Sequence, residues 1–284
     1  MKPETIHTVV FSPTGTSKKI ASAVARGIAS AAGAAPAEAA PLKTIDLTHT
    51  AGEAVTLPAD TVAVIAAPVY GGHVAPTAVK RLETLRGEGT PAVVLAVYGN
   101  RAFEKAAAEL AQLAARQGFV PVAAAAFVGE HSYSTPETPV AAGRPDAQDL
   151  AEAAAFGAAV RKKLDAGDLT PVDAARLKDV RTPLVPMLRF VRFVLGYRRR
   201  QKKNPVVCLP AGDADLCTHC GRCAAVCPTQ AIARGDEVHT DPARCIRCCA
   251  CVKGCPVGAR SFHTPFAAAL ARSFTRRKPP VTIL

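Results

Sequence analysis

Apolar and polar positions over the first 166 residues alternate between short apolar runs and longer stretches of helical period. The runs are Ile6–Phe11, Leu42–Leu47, Thr61–Ala67, Pro91–Val97 and Val120–Val128. Helical stretches read at Lys18–Ala32, Pro76–Arg86, Phe103–Gly118 and Asp146–Leu164. Strand-length runs separated by helix-length segments are the pattern of a parallel sheet wrapped by its crossovers. Five runs predict one doubly wound, five-stranded parallel α/β domain over residues 1–166. From 167 to 204 the pattern breaks around Pro171, Pro183 and Pro186, which reads as a connector carrying a short helix over Pro186–Tyr197. A compact cysteine-rich α+β segment follows at 205–264, and residues 265–284 form a tail.

A chain of 284 residues, 49% hydrophobic and 20% charged, is globular and long enough for two domains. The start, MKPETIHTVVF, suits a first strand better than an export signal, and no apolar run reaches the length of a membrane span. Ten cysteines without an export signal predict metal or redox chemistry in the cytoplasm rather than disulfides. The net charge of +12 is local. Residues 1–166 balance 15 basic against 15 acidic side chains, whereas 167–204 hold 10 against 3 and 265–284 hold 4 against none. A bias confined to connector and tail gives no nucleic-acid footprint.

The cysteines carry the sharpest signal. Cys217, Cys220, Cys223 and Cys227 form C-x2-C-x2-C-x3-C before Pro228, and Cys245, Cys248, Cys251 and Cys255 repeat it before Pro256. Three cysteines two residues apart wrap one face of a cubane, while the fourth reaches the other cluster. The expected ligand sets are therefore Cys217, Cys220, Cys223 and Cys255 for one [4Fe–4S] cluster, and Cys245, Cys248, Cys251 and Cys227 for the second. A zinc array would use paired C-x2-C knuckles and has no reason to repeat a run ending in C-P. Cys208 and Cys249 are left over; Cys248, not Cys249, keeps the register. The segment resembles the bacterial two-cluster ferredoxins over roughly 210–262. Ala231, Ile232, Val257 and Ala259 are expected to cover the clusters, with Arg222, Arg244, Arg247 and Lys253 among the ligands.

In the first half, the turn after the first run reads Ser12-Pro13-Thr14-Gly15-Thr16-Ser17. Four hydroxyls around a glycine at a helix start make a phosphate cradle; the plainer reading is a helix cap by Ser12 or Thr14. With this turn and two further glycine loops, Pro68-Val69-Tyr70-Gly71-Gly72-His73 and Tyr98-Gly99-Asn100-Arg101, the domain resembles a flavodoxin. The resemblance implies flavin mononucleotide (FMN), its phosphate held by Ser12, Thr14, Gly15, Thr16 and Ser17. It also implies that the two loops flank the ring, with Tyr70 and Tyr98 as aromatic contacts. A tyrosine at a strand end is otherwise a core residue, and Arg101 otherwise a partner of Glu104. His73, Arg101 and His131 are candidate catalytic residues. Flavodoxin ring loops are usually acidic; these are not.

The whole chain resembles the fused flavodoxin–ferredoxin proteins of anaerobes. That implies an electron carrier passing electrons between two clusters and FMN; the basic run at 198–203 separately points to an acidic redox partner protein. The alternatives are a ferredoxin-fed reductase acting on a small molecule at the flavin, and a ferredoxin whose first half has lost its flavin and only docks. The connector helix, with Arg189, Arg192 and Arg199, is expected as a strut; peripheral contact with an anionic membrane is the alternative.

Overall fold

The computed structural model describes residues 1–30, 40–50 and 52–284; the end of the helix predicted over Lys18–Ala32 lies outside the described residues. Chain contacts divide it into two units, one of residues 1–130, 143–180 and 278–284, the other of 131–142 and 181–277.

In the first unit the elements run β1 (Ile6–Val10), α1 (Thr16–Ala29), β2 (Leu42–Asp46), β3 (Val55–Leu57), β4 (Val62–Tyr70), β5 (His73–Val74) and α2 (Pro76–Leu82). They continue through β6 (Leu85–Gly87), β7 (Pro91–Tyr98), α3 (Ala106–Arg116), β8 (Val120–Val128) and α4 (Ala147–Asp165). The five expected strands lie side by side and parallel in the order β8-β7-β4-β1-β2, with registers such as Val10↔Ala66 and Val97↔Phe127. The sequence step from β1 to β4 across β2 is a topological switch point, and the order is that of the flavodoxin-like doubly wound sheet. β7 and β8 are buried along nearly their whole length, which is why they read as unbroken apolar runs. α1 and α4 cover one face, packed on Val10, Val64, Leu95 and Phe127. They approach so closely that a Cβ on Gly27 would lie 2.1 Å from the Ala154 carbonyl oxygen.

Three features differ from the expected pattern. Among the described residues the sheet counts seven strands, not five. β5 is added because the run does not stop at Ala67: Pro68, Val69 and Tyr70 continue β4. Gly71 and Gly72, at φ 62° and 93°, then turn it into a two-residue hairpin pairing Tyr70 with His73. The seventh strand, from the chain's far end, is introduced below. β3 and β6 form a separate parallel pair, so the helix expected over Pro76–Arg86 stops at Leu82. The helix expected from Phe103 starts at Ala106, because Glu104 takes a left-handed φ of 45°; the Phe103 and Glu104 amides donate to the Asp179 carboxylate at 2.8 and 3.0 Å.

The second unit holds α5 (Leu184–Lys203), β9 (Ala211–Gly212), α6 (Arg222–Ala225), α7 (Ala250–Lys253), β10 (Arg260–Ser261) and α8 (Pro265–Ser273). α5 is longer at both ends than the expected Pro186–Tyr197. Pro186 falls in the first turn, where an amide has no intrahelical partner to lose, and the helix runs on until Asn204 precedes Pro205. Phe190, Phe193 and Tyr197 of α5 pack on Phe266, Leu270 and Phe274, with ring centroids 4.9–5.1 Å apart for Tyr197–Phe266, Phe190–Phe274 and Phe193–Phe266. The expected tail at 265–284 is divided. Its first part is α8, whereas β11 (Val281–Ile283) pairs antiparallel with β8 in the first unit.

Asp146 and Asp149 cap α4 reciprocally, and Asp149, 2% exposed, also accepts from Arg144 Nε at 2.9 Å. Removing one member of a buried pair strands the other charge. Asp149→Ala should therefore destabilise the first unit by about 3–5 kcal/mol, read as a shifted denaturant midpoint in circular dichroism. A loss below about 1 kcal/mol would mean the pair is solvated, as surface pairs are.

Candidate functional site

The two cysteine runs fold as copies of each other. In the first, His219, Gly221 and Gln230 have φ of 49°, 70° and 53°; at the matching places in the second, Arg247, Cys249 and Gly258 have φ of 56°, 58° and 68°. α6 and α7 start after Gly221 and Cys249, behind the second cysteine of each run. Ahead of each run an aspartate turns the chain: the Cys217 amide donates to the Asp213 carbonyl and the Cys245 amide to the Asp241 carbonyl, both at 3.0 Å. Asp213 and Asp241 carboxylates take the Asp215 and Ala243 amides.

The halves then exchange backbone bonds. The Asp213 amide donates to the Ala259 carbonyl and the Asp241 amide to the Ala231 carbonyl, each at 2.8 Å. This crossing carries Cys227, from the first run, into the second. The Cys248 thiol is pushed up to about 12 by burial first, then by Cys251, Cys227 and Cys245. Cys245 and Cys251 are each raised by burial and, in lesser part, by Cys227. Thus Cys227, Cys245, Cys248 and Cys251 are electrostatic neighbours. Each fourth cysteine also receives amides: Ala231 N–H donates to Cys227 Sγ at 3.2 Å. At Cys255, burial is outweighed by the amides of Arg260, Val257, Ala259 and Gly258, which hold its pKa below the ordinary thiol value. Amide donors at sulfur are what a thiolate-ligated cluster uses. Among the described residues, no three His, Cys, Asp or Glu side chains gather around a single-ion position. Cubane thiolates each hold a separate iron, so they need not converge on one point.

Ile232 packs with Cys223 and Cys251, and Ala231 and Ala259 are buried; Val257, expected beside them, is 46% exposed. Of the expected basic neighbours, Arg247 lies beside Cys245, its amide and charge both opposing the burial that raises that thiol, whereas Arg244 pairs with Asp241 and Lys253 donates to the Ser134 carbonyl. The buried cation is Arg260, which the sequence reading passed over. At 4% exposed it donates to the Pro210, Glu237 and His239 carbonyls and to Thr240 Oγ1, with Cys251 Sγ at 4.0 Å. It counters the burial that raises Cys223, Cys251 and Cys245. Tyr133 was also missed. Its ring lies 4.9 Å from Phe262, and burial, then Cys249, pushes its hydroxyl up to about 12. A lone arginine in a short apolar segment hinted at the first; nothing local marks the second.

In the first unit, the Ser12–Ser17 turn enters α1 through Gly15, at φ 81°, with open space where a Cβ would stand. Gly15 at the N-cap position has no side chain to cap with, and Ser12 Oγ caps in its place, as in the plainer reading, by accepting the Lys18 amide at 3.0 Å; the Ser12 amide donates to Thr48 Oγ1 at 2.9 Å. The Thr16 and Ser17 amides precede the first intrahelical bonds. Ser17 is 1% exposed with its Oγ lacking a partner, and the first turn has no acidic residue. Lys18 is tied to Asp46 at 3.0 Å, so positive charge at the turn comes from the helix terminus. An orphaned hydroxyl, free amides and an open glycine fit a phosphate group.

The ring loops are less uniform. Tyr70 is half-buried beside Gly71, whose Cβ position is also open. Tyr98 is 2% exposed, edge-to-face on Phe103 at 5.5 Å, with burial raising its pKa: it sits in the core rather than at an open face. Pro68 and Val69 belong to β4, and Gly72 faces Glu104. Gly99 and Asn100 turn the chain, Asn100 at φ 62°. Arg101 pairs with Glu104 at 2.6 Å and His73 with Glu109 at 2.5 Å. His131 belongs to the second unit, where its Nδ1 accepts the Tyr133 amide at 3.0 Å. The three candidate catalytic residues are thus each engaged, and the first unit holds two of them.

Residues 210–261 match the family described as the 4Fe-4S dicluster domain. No curated relative matches the sequence significantly. Solved structures similar in part include the flavodiiron protein of Giardia intestinalis, 13% identical over 59% of this chain and 38% of that one at a TM-score of 0.36. Another is rubredoxin oxygen:oxidoreductase of Desulfovibrio gigas, 12% identical over 57% and 35% at 0.36. A third is an oxidoreductase of Corynebacterium diphtheriae, 16% identical over 57% and 99% at 0.34. The chain spans well under half the length of the first two, and likenesses this weak decide nothing further.

Cys249 stands where the first half has Gly221, in a left-handed backbone that costs a side chain about 1–2 kcal/mol. Its thiol is buried and points to the Arg247 carbonyl at 3.7 Å. Cys249→Gly should relieve the backbone while losing a small buried group, leaving stability within about 1 kcal/mol and iron content unchanged. Loss of iron from this variant would make Cys249 a ligand.

Proposed function

We propose that the chain is an electron-transfer iron–sulfur flavoprotein with two [4Fe–4S] clusters and one FMN. Cys217, Cys220, Cys223 and Cys255 hold one cluster, and Cys245, Cys248, Cys251 and Cys227 the other. The observation that carries the reading is the crossing of the two halves, which sets Cys227 beside the second run's thiols. A bound flavin accepts or releases one or two electrons where each cubane passes one, so the pair interconverts the two kinds of step. The chain's own contribution is electrostatic. Arg260 and the amides at Cys227 and Cys255 favour the more negative, reduced state, and Ile232, Ala231 and Ala259 keep water from the sulfurs. The Thr14, Thr16 and Ser17 hydroxyls and the first amides of α1 would hold the FMN phosphate, and Tyr70 and Gly71 would meet its ring.

Carrier is favoured over reductase because His73 and Arg101 are held by Glu109 and Glu104 rather than presented to a substrate. The partner would be an acidic redox protein. The packed Tyr98 ring favours a second reading, in which the first unit binds no flavin and only docks partners.

Anaerobic preparations should contain about eight irons and eight acid-labile sulfides per chain; zinc without sulfide would contradict this. Cys227→Ser should perturb the cluster held by Cys245, Cys248 and Cys251, seen by electron paramagnetic resonance, although it lies in the first motif. A change confined to the Cys217 cluster would mean the halves do not cross.

The cradle separates the two readings. Each hydroxyl-to-phosphate bond is worth about 1.5–3 kcal/mol, so Thr14→Ala with Thr16→Ala should weaken FMN binding by roughly two to four powers of ten. Riboflavin should bind the unaltered protein far more weakly and be indifferent to the substitutions. Unchanged FMN affinity would reduce the turn to a helix cap and favour the docking reading.

A further inference from the structure

Helix α5 presents an apolar line to solvent. Its packed side carries Phe190, Phe193 and Tyr197, against α8. On another side, at alternating spacings of four and three, stand Leu184, Leu188, Val191 and Leu195, exposed by 71%, 52%, 42% and 52%. The same line then turns basic at Arg198 and Lys202. Arg192 and Arg199 lie one turn beyond Leu188 and Leu195, along the edge of the line. Val185, Val206 and Val207 add exposed apolar surface at its two ends.

The charge around this line has one sign. Between Asp179 and Asp213 there are eight basic side chains and no acidic one. From Leu184 to Leu195 the apolar line runs about 16 Å at 1.5 Å per residue. No helix among the described residues is long and apolar enough to cross a membrane.

We propose that α5 is a peripheral membrane anchor, its leucine line lying in an anionic lipid interface and its arginines and lysines among the headgroups. An apolar stripe with a cationic border is what such an interface receives: the side chains enter the acyl boundary and the cations meet lipid phosphates. A second copy of α5 would match the leucines but set cations against cations. An acidic protein would satisfy the cations but give the leucine line no counterpart. The proposal is independent of the redox reading, because it uses no residue of either cofactor site.

The test is flotation of the full-length protein with vesicles of phosphatidylcholine alone or mixed with phosphatidylglycerol. Partitioning should be at least about tenfold greater on the mixed vesicles and fall with salt. Leu188→Asp with Leu195→Asp should abolish it while circular dichroism and iron content stay unchanged, since both positions are exposed. Arg198→Gln with Lys202→Gln should reduce the preference for phosphatidylglycerol and leave the fold intact. The proposal is overturned if the protein ignores the mixed vesicles, or if the leucine variant binds them as well as the unaltered chain. It is equally overturned if the leucines prove to drive self-association in sedimentation, or capture of an acidic protein, without vesicle binding.

Discussion

The cysteine module depends on one reciprocal exchange, the Asp213 amide to the Ala259 carbonyl and the Asp241 amide to the Ala231 carbonyl. Each bond ties the entrance of one half to the exit of the other, so neither half closes alone. The consequence is chemical as well as structural: the fourth cysteine of each run follows its exit strand across. Arg260 lies on the same seam, its guanidinium taking carbonyls from Pro210, Glu237 and His239, segments far apart in sequence. A buried arginine is costly unless its charge is answered, and Arg260 keeps one buried donor, Nε, without a partner among the described residues. Here the thiols of Cys223, Cys245 and Cys251 feel that charge, which is the setting an anionic cluster would complete.

The α/β unit meets a different constraint. A parallel sheet brings the strand ends and helix starts together at one edge, and the step from β1 to β4 opens a crevice there. Gly15 lets the chain enter α1 with only the Lys18 amide capped, by Ser12, so the Thr16 and Ser17 amides ahead of it have no intrahelical acceptor. The cradle's polar groups are neutral, with Lys18 already answered by Asp46. Burial pushes the Asp46 carboxyl up, but bonds from Thr48 and Lys18 outweigh it, so its pKa lies below the ordinary value. That pairing is present above the unfolded carboxylate pKa and is lost as pH falls through the lowered folded value.

What could be read from sequence was what spacing encodes locally. Of the five parallel strands, β1, β4, β7 and β8 were legible because burial forces nearly continuous apolar runs, while β2 is largely exposed; the repeat of the two cysteine runs was legible because each loop's cysteines are neighbours in the chain. β5 was missed because Pro68 looked like a strand end, whereas it continues β4 opposite Val97. β11 was illegible: Val281–Ile283 is three residues long, and its pairing with β8 is set by the chain's return rather than by pattern. Arg260 and Tyr133 escaped because their burial is made by residues remote in sequence. Of the two readings open for Tyr98, a ring contact or a core residue at a strand end, sequence could not choose; Phe103, just after the loop, folds back on it and it is buried. The connector helix extends beyond both expected ends; at the first of them, Pro186 fits inside a first turn and need not start the helix.

The central claim is that iron–sulfur and flavin centres in this one chain share electrons, and it is tested most directly by an anaerobic reductive titration of the purified protein. Flavin absorbance and cluster paramagnetic resonance would be followed in the same sample. The account predicts an uptake of about four electron equivalents per chain, one for each cubane and two for the flavin, with both signals changing under a one-electron donor that reaches the clusters. An uptake of about two equivalents, with clusters reduced and no flavin signal, would contradict it.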